Sequence, residues 1–322
     1  MSRKKRKPDA AFADISGWLL IDKPSGMTSR EVINAIERKW RGVKFGHAGT
    51  LDPLASGLLL VAIGPATRLV EHSHRLGKSY EATIRLGATS STDDADGELT
   101  LNPTAEPVSQ ETIRVALDRL EGPEVLQTPP VFSAIHTDGK RAYELARAGR
   151  DVTLAARPVR IDRIAVTGYE WPYLKVVVDC SAGTYIRSIA RDLGQMLGVG
   201  GLIETLRRTA IGPFEVEASQ TLDNLLHSSD LKAITRHAAE ALPGWPRIRL
   251  TAVDLTEICH GRALKASDIF QEVAAETEVA MIDPEGGLAG LARIAERGDE
   301  KWIQPWRVFA KPMSKEDTTS DD

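Results

Sequence analysis

The residue whose type and setting could best support chemistry is Asp52. It lies in the segment Gly46–Gly57, between two turns that contain glycines, and Pro53 follows it directly. The apolar run Leu58–Ile63 comes next and predicts a buried strand, so the carboxylate is expected at a sheet edge beside buried surface. A carboxylate in that setting could act on a bound substrate. Asp-Pro is also a common start of a turn, so a purely structural role fits the same residues.

Other common catalytic and ligand-binding signatures are missing from the sequence. It has no Gly-x-x-x-x-Gly-Lys-Ser/Thr phosphate loop, no His-Glu-x-x-His zinc helix and no Gly-x-Ser-x-Gly nucleophile elbow. Cys180, Cys259 and the seven histidines form no spaced ligand cluster, so we expect no metal ion. Gly198–Gly201 resembles half of a dinucleotide fingerprint but follows a helical segment, which favours a helix C-cap.

Composition and charge limit the class of protein further. The chain has 322 residues, of which 42% are hydrophobic and 27% charged, enough for two globular domains with cores. No run of about 18 apolar residues occurs, so we expect no association with a membrane. The low cysteine content favours a reducing, cytoplasmic compartment. Residues 1–50 hold 11 Lys and Arg against 5 Asp and Glu, whereas residues 251–322 hold 8 against 15. A polyanion would therefore bind a local patch.

The strands that could position Asp52 are predicted by short apolar runs and by alternation. Gly17–Ile21 is a short apolar run that stops at a turn-forming segment, and in Tyr80–Leu86 apolar residues alternate with polar ones. Leu174–Cys180 is a further strand candidate, followed by the turn Ser181–Thr184.

Helices are predicted between these strands. Thr28-Ser29-Arg30-Glu31 fits a capping box, and the apolar residues that follow it recur about every four positions. Further helices are predicted after Ser109 and from Ile186. The irregular alternation of strands and helices lacks βαβ units, so the predicted fold class is α+β with a mixed sheet.

Six segments of the sequence, in the same order, resemble the motifs of the TruB-type tRNA pseudouridine synthases. The most specific is Gly-His-Ala-Gly-Thr-Leu-Asp-Pro-Leu-Ala-Ser-Gly, which contains Asp52. The six segments are Leu20–Ser29, Gly46–Gly57, Lys78–Ala82, Pro129–Ala134, Cys180–Ser188 and Leu206–Phe214. The resemblance implies the pseudouridine synthase fold, with a mainly antiparallel mixed sheet, flanking helices and a small β-rich C-terminal domain. One departure is Ser91, which stands where the family's usual pattern has an acidic residue.

The resemblance also implies a reaction and the residues that carry it. The family isomerises uridine to pseudouridine at position 55 in the T loop of tRNA, by everting the base and using an essential aspartate. Such an isomerisation needs no cofactor. The residues that match the family's catalytic positions are Asp52, Arg187 and Tyr80. Asp52 would attack the sugar or act as a base, and the cation of Arg187 would keep its carboxylate ionised.

A second set of residues is implied to bind the substrate. These residues are His47, Tyr185, Leu206, Lys23 and Lys78. His47 would fill the stack that the everted base leaves, and Tyr80 would pack on that base. Tyr185 and Leu206 would complete the pocket.

Phosphate contacts are a further implication of these matches. Lys23 would support the pocket and could contact a phosphate, and Arg207 and Arg208 could add further contacts. Without the resemblance, Tyr80 would be interpreted as a core residue of a strand and Leu206 as an apolar residue of a helix.

The expected organisation has four parts. Residues 1–14 form a disordered basic arm, residues 15–248 the catalytic domain, residues 249–312 a small PUA-like domain and residues 313–322 an acidic tail. The expected partner is the T stem-loop of tRNA, bound by a monomer. Two alternatives stay open: an RNA-binding protein that helps tRNA to fold on the same scaffold, and a pseudouridine synthase that acts on another RNA.

Overall fold

The computed structural model describes residue 12 and residues 15–133, 136–137, 140–141, 145, 152–267 and 272–310. Over these residues the chain forms a large mixed sheet with flanking helices and a smaller sheet near the C-terminus. The expected basic arm, Phe12 apart, and the expected acidic tail lie outside the described residues. None of the helices in these ranges is long and apolar enough to cross a lipid bilayer.

The helices and strands of the described residues are numbered in chain order. The helices are α1 (Ser29–Lys39), α2 (Val70–Ser73), α3 (Gln110–Asp118), α4 (Ile186–Met196), α5 (Leu222–His227) and α6 (Ala252–Cys259). The strands in the first half are β1 (Gly17–Lys23), β2 (Phe45–His47), β3 (Ser56–Ile63), β4 (Lys78–Leu86), β5 (Ala88–Ser90), β6 (Leu99–Leu101), β7 (Gly122–Gln127), β8 (His136–Thr137) and β9 (Lys140–Arg141). The strands in the second half are β10 (Arg157–Glu170), β11 (Tyr173–Cys180), β12 (Gly201–Ile211), β13 (Phe214–Glu215), β14 (Gln220–Thr221), β15 (Arg236–His237), β16 (Arg247–Arg249), β17 (Leu264–Lys265), β18 (Glu278–Ile282), β19 (Leu288–Arg297) and β20 (Glu300–Val308).

The large sheet is mixed and mainly antiparallel, as predicted. Its main path runs β14-β1-β3-β12-β4-β11-β10-β7, with β13, β15 and β2 paired at its margins. Among the described strands, β14 pairs in parallel with β1 and β12 in parallel with β3, while the other pairs of this sheet are antiparallel. The predicted α+β fold class is confirmed.

Helix α1 begins at the predicted capping box. The Thr28 backbone N–H donates to the Glu31 carboxylate at 2.7 Å, and the Glu31 backbone N–H donates to the Thr28 hydroxyl at 3.1 Å. Val32, Ile33 and Ile36 lie on the buried face of the helix and join the main hydrophobic core. The helix is therefore fixed against the sheet immediately after β1.

Strands β4 and β12 carry the face of the sheet on which the candidate site is built. Tyr80 and Ala82 of β4 are buried, and Ala82 pairs with Leu206 of β12. Helix α4 packs on this face.

Leu206 lies on strand β12, so its interpretation as a helix residue is wrong. Gly198, at φ 72°, follows the last turn of α4, and β12 begins at Gly201. Strand β7 was not predicted either.

The smaller sheet supports the large one from its other face. Its strands lie in the order β16-β18-β19-β20-β17. The side chains of Ala280, Ile282 and Leu291 share a core cluster with Trp18 and Leu58 of the large sheet. The C-terminal part is β-rich, as expected, and strand β16 begins at Arg247, close to the proposed boundary at residue 248.

The parallel pairing of β3 with β12 predicts a strict requirement for glycine at position 57. Gly57 has φ +97°, and a Cβ atom there would lie 2.3 Å from the backbone oxygen of Arg208. We expect Gly57→Ala to lower the free energy of unfolding by about 2–4 kcal/mol, because it combines backbone strain with a backbone clash. Gly26→Ala is the control, since Gly26 has φ +84° but open space around it, and should cost about 1–2 kcal/mol. Equal losses in urea unfolding would contradict the close-approach argument.

Candidate active site

A cavity of ≈ 400 Å³ lies where the Asp52 loop meets β4, β12 and the start of α4. This volume is within the range of small-molecule sites. Six of the eight predicted site residues line the cavity, namely Asp52, Tyr80, Lys78, Tyr185, Arg187 and Leu206. The other two, His47 and Lys23, do not line it.

The loop that carries Asp52 is held by hydrogen bonds to the preceding segment. The Gly26 N–H donates to the Pro53 carbonyl at 2.8 Å, and the Ser29 hydroxyl bridges the carbonyl and N–H of Leu51 at 3.1 and 2.9 Å. The Ala55 N–H donates to the Asp52 carbonyl at 3.1 Å and closes the turn. These contacts fix the backbone while the Asp52 side chain keeps 39% of its surface exposed toward the cavity.

Arg187 is the cation that faces Asp52. Its side chain is only 6% exposed, and its Nη2 lies 2.9 Å from Asp52 Oδ2. The same guanidinium donates to the carbonyls of Thr92 and Phe132 at 2.9 and 3.0 Å. An ion pair with one buried partner is far less screened by solvent than a surface pair, so Arg187 holds the Asp52 side chain in place at the cavity.

A second carboxylate on Arg187 was missed by the sequence analysis. Asp94 Oδ2 lies 3.5 Å from Arg187 Nη1, and the side chain of Asp94 is almost fully buried. Burial raises the pKa of the Asp94 carboxyl, while the Thr92 hydroxyl and Arg187 oppose that rise. The Asp-Asp-Ala-Asp-Gly sequence around it is typical of a turn, and nothing in that pattern indicates which carboxylate points inward.

Tyr80 and Leu206 form the apolar wall of the cavity. They lie on neighbouring strands, where Tyr80 pairs with Arg208 and Leu206 with Ala82. Burial raises the pKa of the Tyr80 phenol, so the hydroxyl stays protonated at neutral pH. The wall therefore offers a neutral aromatic ring and an aliphatic side chain to a flat ligand.

Another part of the cavity lining is formed by the basic residues Lys78, His74 and Arg208. Lys78 lies two residues before Tyr80 on β4, and its Nζ donates to the Leu76 carbonyl at 3.0 Å. Burial, with the nearby Arg208, lowers the pKa of Lys78 to about 8. His74, which was not predicted, also lines the cavity, and partial burial together with Lys78 lowers its pKa. Lys78 thus keeps its charge at pH 7 and loses it as the pH rises through about 8.

Tyr185 precedes the first turn of α4 and is locked by a side-chain amide. Gln127 Nε2 donates to the Tyr185 carbonyl at 3.1 Å, and the Tyr185 N–H donates to Gln127 Oε1 at 2.8 Å. The Arg157 guanidinium lies 5.3 Å from the centre of the Tyr185 ring. The end of β7, although not predicted from the sequence, thus positions a cavity residue.

Four further basic residues of the sequence analysis lie on the segments around the Asp52 loop. Lys23 is fully buried, and its ammonium donates to the carbonyls of Pro24 and Met27 at 2.8 and 2.7 Å, so its placement does not fit a phosphate contact. Arg208 is also buried and donates to the carbonyls of Leu58 and Gly49. These two cations hold the Asp52 loop from beneath.

The other two basic residues lie nearer the surface. Arg207 forms a two-pronged ion pair with Asp22 at 2.9 and 2.8 Å, which occupies its guanidinium. His47 is half-buried at the end of β2, and burial lowers its pKa. In the described ranges, no group of three or more His, Cys, Asp or Glu side chains is arranged to hold a metal ion.

Comparison with known proteins identifies the family. The TruB family pseudouridylate synthase N-terminal domain matches residues 37–186, and the tRNA pseudouridylate synthase B C-terminal domain matches residues 187–242. A relative from Arthrobacter sp. (strain FB24), named tRNA pseudouridine synthase B, is 40% identical over 92% of this chain and 97% of its own length. The chain belongs to the TruB family of pseudouridine synthases. The boundary between the two domains falls inside α4, directly before Arg187.

Other TruB relatives and solved structures agree with this assignment. Proteins of the same name from Corynebacterium aurimucosum and Mycobacterium tuberculosis (strain H37Rv) are each 42% identical, over 88% and 86% of this chain and 93% and 91% of their own lengths. A crystal structure of a Cbf5-Nop10-Gar1 complex has a chain that is 25% identical, with a TM-score of 0.69 over 92% of this chain and 85% of that one. A chain of an H/ACA RNP bound to a substrate RNA, 24% identical with a TM-score of 0.68 over 92% and 86%, shares the fold.

The ion-pair geometry predicts that Asp94 is needed to hold Arg187. Asp94→Asn removes one of the two carboxylates on a buried guanidinium, so we expect the free energy of unfolding to fall by about 1–3 kcal/mol. Asp96→Asn, in the same loop but exposed, should change it by less than about 0.5 kcal/mol. Urea unfolding of both variants measures the difference, and a neutral Asp94→Asn would show that Asp52 and the two carbonyls suffice.

Proposed function

We propose that the chain converts uridine to pseudouridine at position 55 in the T loop of tRNA. The observation that carries the proposal is the contact of Asp52 with the Arg187 guanidinium at a cavity that also has an aromatic and aliphatic wall. The relatives named tRNA pseudouridine synthase B support tRNA as the substrate. The six motifs that resemble the family support the T loop as the target.

The reaction breaks the N1–C1′ bond of uridine, rotates the uracil and joins its C5 to C1′. A proton leaves C5 and a proton is added at N1, so no atom is gained or lost and no redox step is needed. In this proposal, Asp52 attacks the ribose or removes a proton from it, and both routes start from the carboxylate. The Arg187 guanidinium orients this carboxylate, with Nη2 2.9 Å from Asp52 Oδ2.

The target base must leave its stack to reach the cavity, at a cost of a few kcal/mol. Tyr80 is placed to pack on the everted base, and stacking of a base on an aromatic ring contributes about 1–3 kcal/mol. Leu206 and Tyr185 would enclose the base from other sides. His47, outside the cavity but five residues before Asp52, is in a suitable place to replace the base in its stack.

Exposed basic residues on the segments that precede the Asp52 loop in the chain could hold the RNA backbone. Arg38 lies at the end of α1, and Arg41 and Lys44 follow it; all three are exposed and form no ion pair with a described residue. Lys44 directly precedes β2, whose Phe45 pairs with Ile63 at the end of β3 away from the Asp52 loop. We propose that this basic surface, Arg38, Arg41 and Lys44, contacts phosphates of the RNA outside the target loop.

The essential carboxylate is tested by Asp52→Asn. This isosteric change removes the charge, so we expect the variant to fold and to bind tRNA but to release no tritium from tRNA labelled at uracil C5. Asp118→Asn, an exposed helix residue, is the control and should retain turnover. Substantial turnover by Asp52→Asn would refute the mechanism, whereas pseudouridine mapped elsewhere with wild-type protein would refute the T-loop target.

The basic surface is tested by the salt dependence of tRNA binding. In the double variant Arg41→Gln/Lys44→Gln, two phosphate contacts are lost, so the slope of log K against log salt should become smaller by about 1–2. Arg119→Gln/Lys232→Gln removes two exposed charges elsewhere and should leave the slope nearly unchanged. An equal decrease in both double variants would indicate a general charge effect.

A further inference from the structure

One hydroxyl group in the cavity wall has no hydrogen-bond partner among the residues that the structure describes. Ser133 is 5% exposed, and its Oγ is buried without a hydrogen bond to any described residue. Ser133 lines the same cavity as Asp52, Tyr80 and Arg187. Most buried polar side-chain atoms are paired, so an unpaired one in a cavity wall calls for a ligand atom.

Unpaired buried atoms concentrate around this cavity. Five such side-chain atoms occur in the part of the chain that the structure describes, and three belong to cavity-lining residues, namely Ser133, Thr184 and Arg187. The Thr184 hydroxyl lies close enough to the Cys180 thiol to influence its pKa, and Arg187 has four other contacts. Ser133 differs from these two residues, because its hydroxyl is its only polar side-chain group and forms no hydrogen bond with another described polar group.

The position of Ser133 is set by the residue that orients Asp52. Arg187 Nη2 donates to the carbonyl of Phe132, the preceding residue, and the Ser133 N–H donates to the Val131 carbonyl at 3.0 Å. One guanidinium thus fixes both the carboxylate and the segment that carries the hydroxyl. A hydroxyl held in this way is preorganised for a bound molecule.

We propose that the Ser133 hydroxyl forms a hydrogen bond with the everted uridine and helps to position it for the reaction. This inference rests on the proposed eversion of the base into the cavity. A hydroxyl both donates and accepts, so a carbonyl oxygen of uracil and the ribose 2′-hydroxyl are the two partners within that nucleotide. The bond satisfies the buried oxygen only when substrate is bound, and therefore contributes to substrate binding and catalysis at the expense of the free protein's stability.

The test compares activity with stability in Ser133→Ala. We expect kcat/KM for pseudouridine formation to fall about 3- to 15-fold, as for the loss of one neutral hydrogen bond. The midpoint of thermal unfolding should stay the same or rise, because the variant no longer buries an unpaired oxygen. Ser73→Ala is the matched control: Ser73 is fully buried, and its hydroxyl donates to the Val70 carbonyl at 2.6 Å. We expect it to lose thermal stability and to keep kcat/KM.

Two further comparisons separate the hydroxyl from its surroundings. Ser133→Thr and Ser133→Val have the same shape, so higher activity of the threonine variant assigns the effect to the hydroxyl. Substrates with 2′-deoxyuridine or 4-thiouridine at the target locate the partner atom, since the penalty of Ser133→Ala should disappear with the substrate that has lost that partner. The same penalty with both substrates would move the assignment to the other carbonyl oxygen, O2.

Total RNA from cells without the gene serves as substrate in the main comparison, so the result does not depend on tRNA being the target. Mapping the modified site then tests the T-loop assignment separately. Wild-type kcat/KM in Ser133→Ala would overturn the role of Ser133. A loss of activity that only follows a lowered unfolding midpoint would overturn it as well.

Discussion

The burial of the Arg187 guanidinium is the constraint on which the site depends. A charge that is only 6% exposed must be matched by partners, because the cost of removing it from water is several kcal/mol. The partners are two carboxylates and two carbonyls, from the Asp52 loop, the Thr92–Asp94 turn and the segment ending at Phe132. Three loops that are distant in sequence are thereby brought to the first turn of α4. The helix dipole disfavours a cation there and favours the two acids, so Asp52 and Asp94 make the position of Arg187 tolerable.

The sheet beneath these loops sets how closely they can approach. Strand β3 pairs in parallel with β12 at Gly57 and Arg208, where the absence of a side chain on Gly57 lets the two backbones meet. The buried guanidinium of Arg208 then reaches the carbonyls of Leu58 and Gly49 on either side of the Asp52 loop. The loop is thus clamped from beneath by Arg208 and Lys23 and from the cavity side by Arg187. Lys23 and Arg208 donate to backbone carbonyls of this loop and of the segments beside it, and so fix its course.

Local patterns predicted the elements that are stabilised locally. The capping box of α1, the alternation along β4 and the apolar face of α4 each follow from residues a few positions apart, and each is confirmed. Of the eight site residues predicted from the family resemblance, six line one cavity. The sequence could not predict which side chains of a turn point inward. Asp94 and Asp96 lie in the same turn, yet only Asp94 of the two is buried. The burial of Lys23 and Arg208 and the pairing of β7 likewise depend on contacts between distant segments.

The cavity and the C-terminal sheet lie on opposite faces of the large sheet. Tyr80 and Leu206, which line the cavity, belong to the core cluster on one face, whereas the C-terminal sheet packs into the cluster on the other. At their edge, the Arg68 guanidinium donates to the Val308 carbonyl at 3.1 Å, and the Arg307 guanidinium donates to the Arg68 carbonyl at 2.6 Å. Among the described residues, the C-terminal sheet with its acidic side chains therefore lies on the other face from the cavity, whereas Arg38, Arg41 and Lys44 lie on the segments that precede the Asp52 loop. A protein with a net charge of -4 can in this way present a positive surface to a polyanion, because the electrostatic attraction between exposed charges decays within about 10 Å in 0.1 M salt.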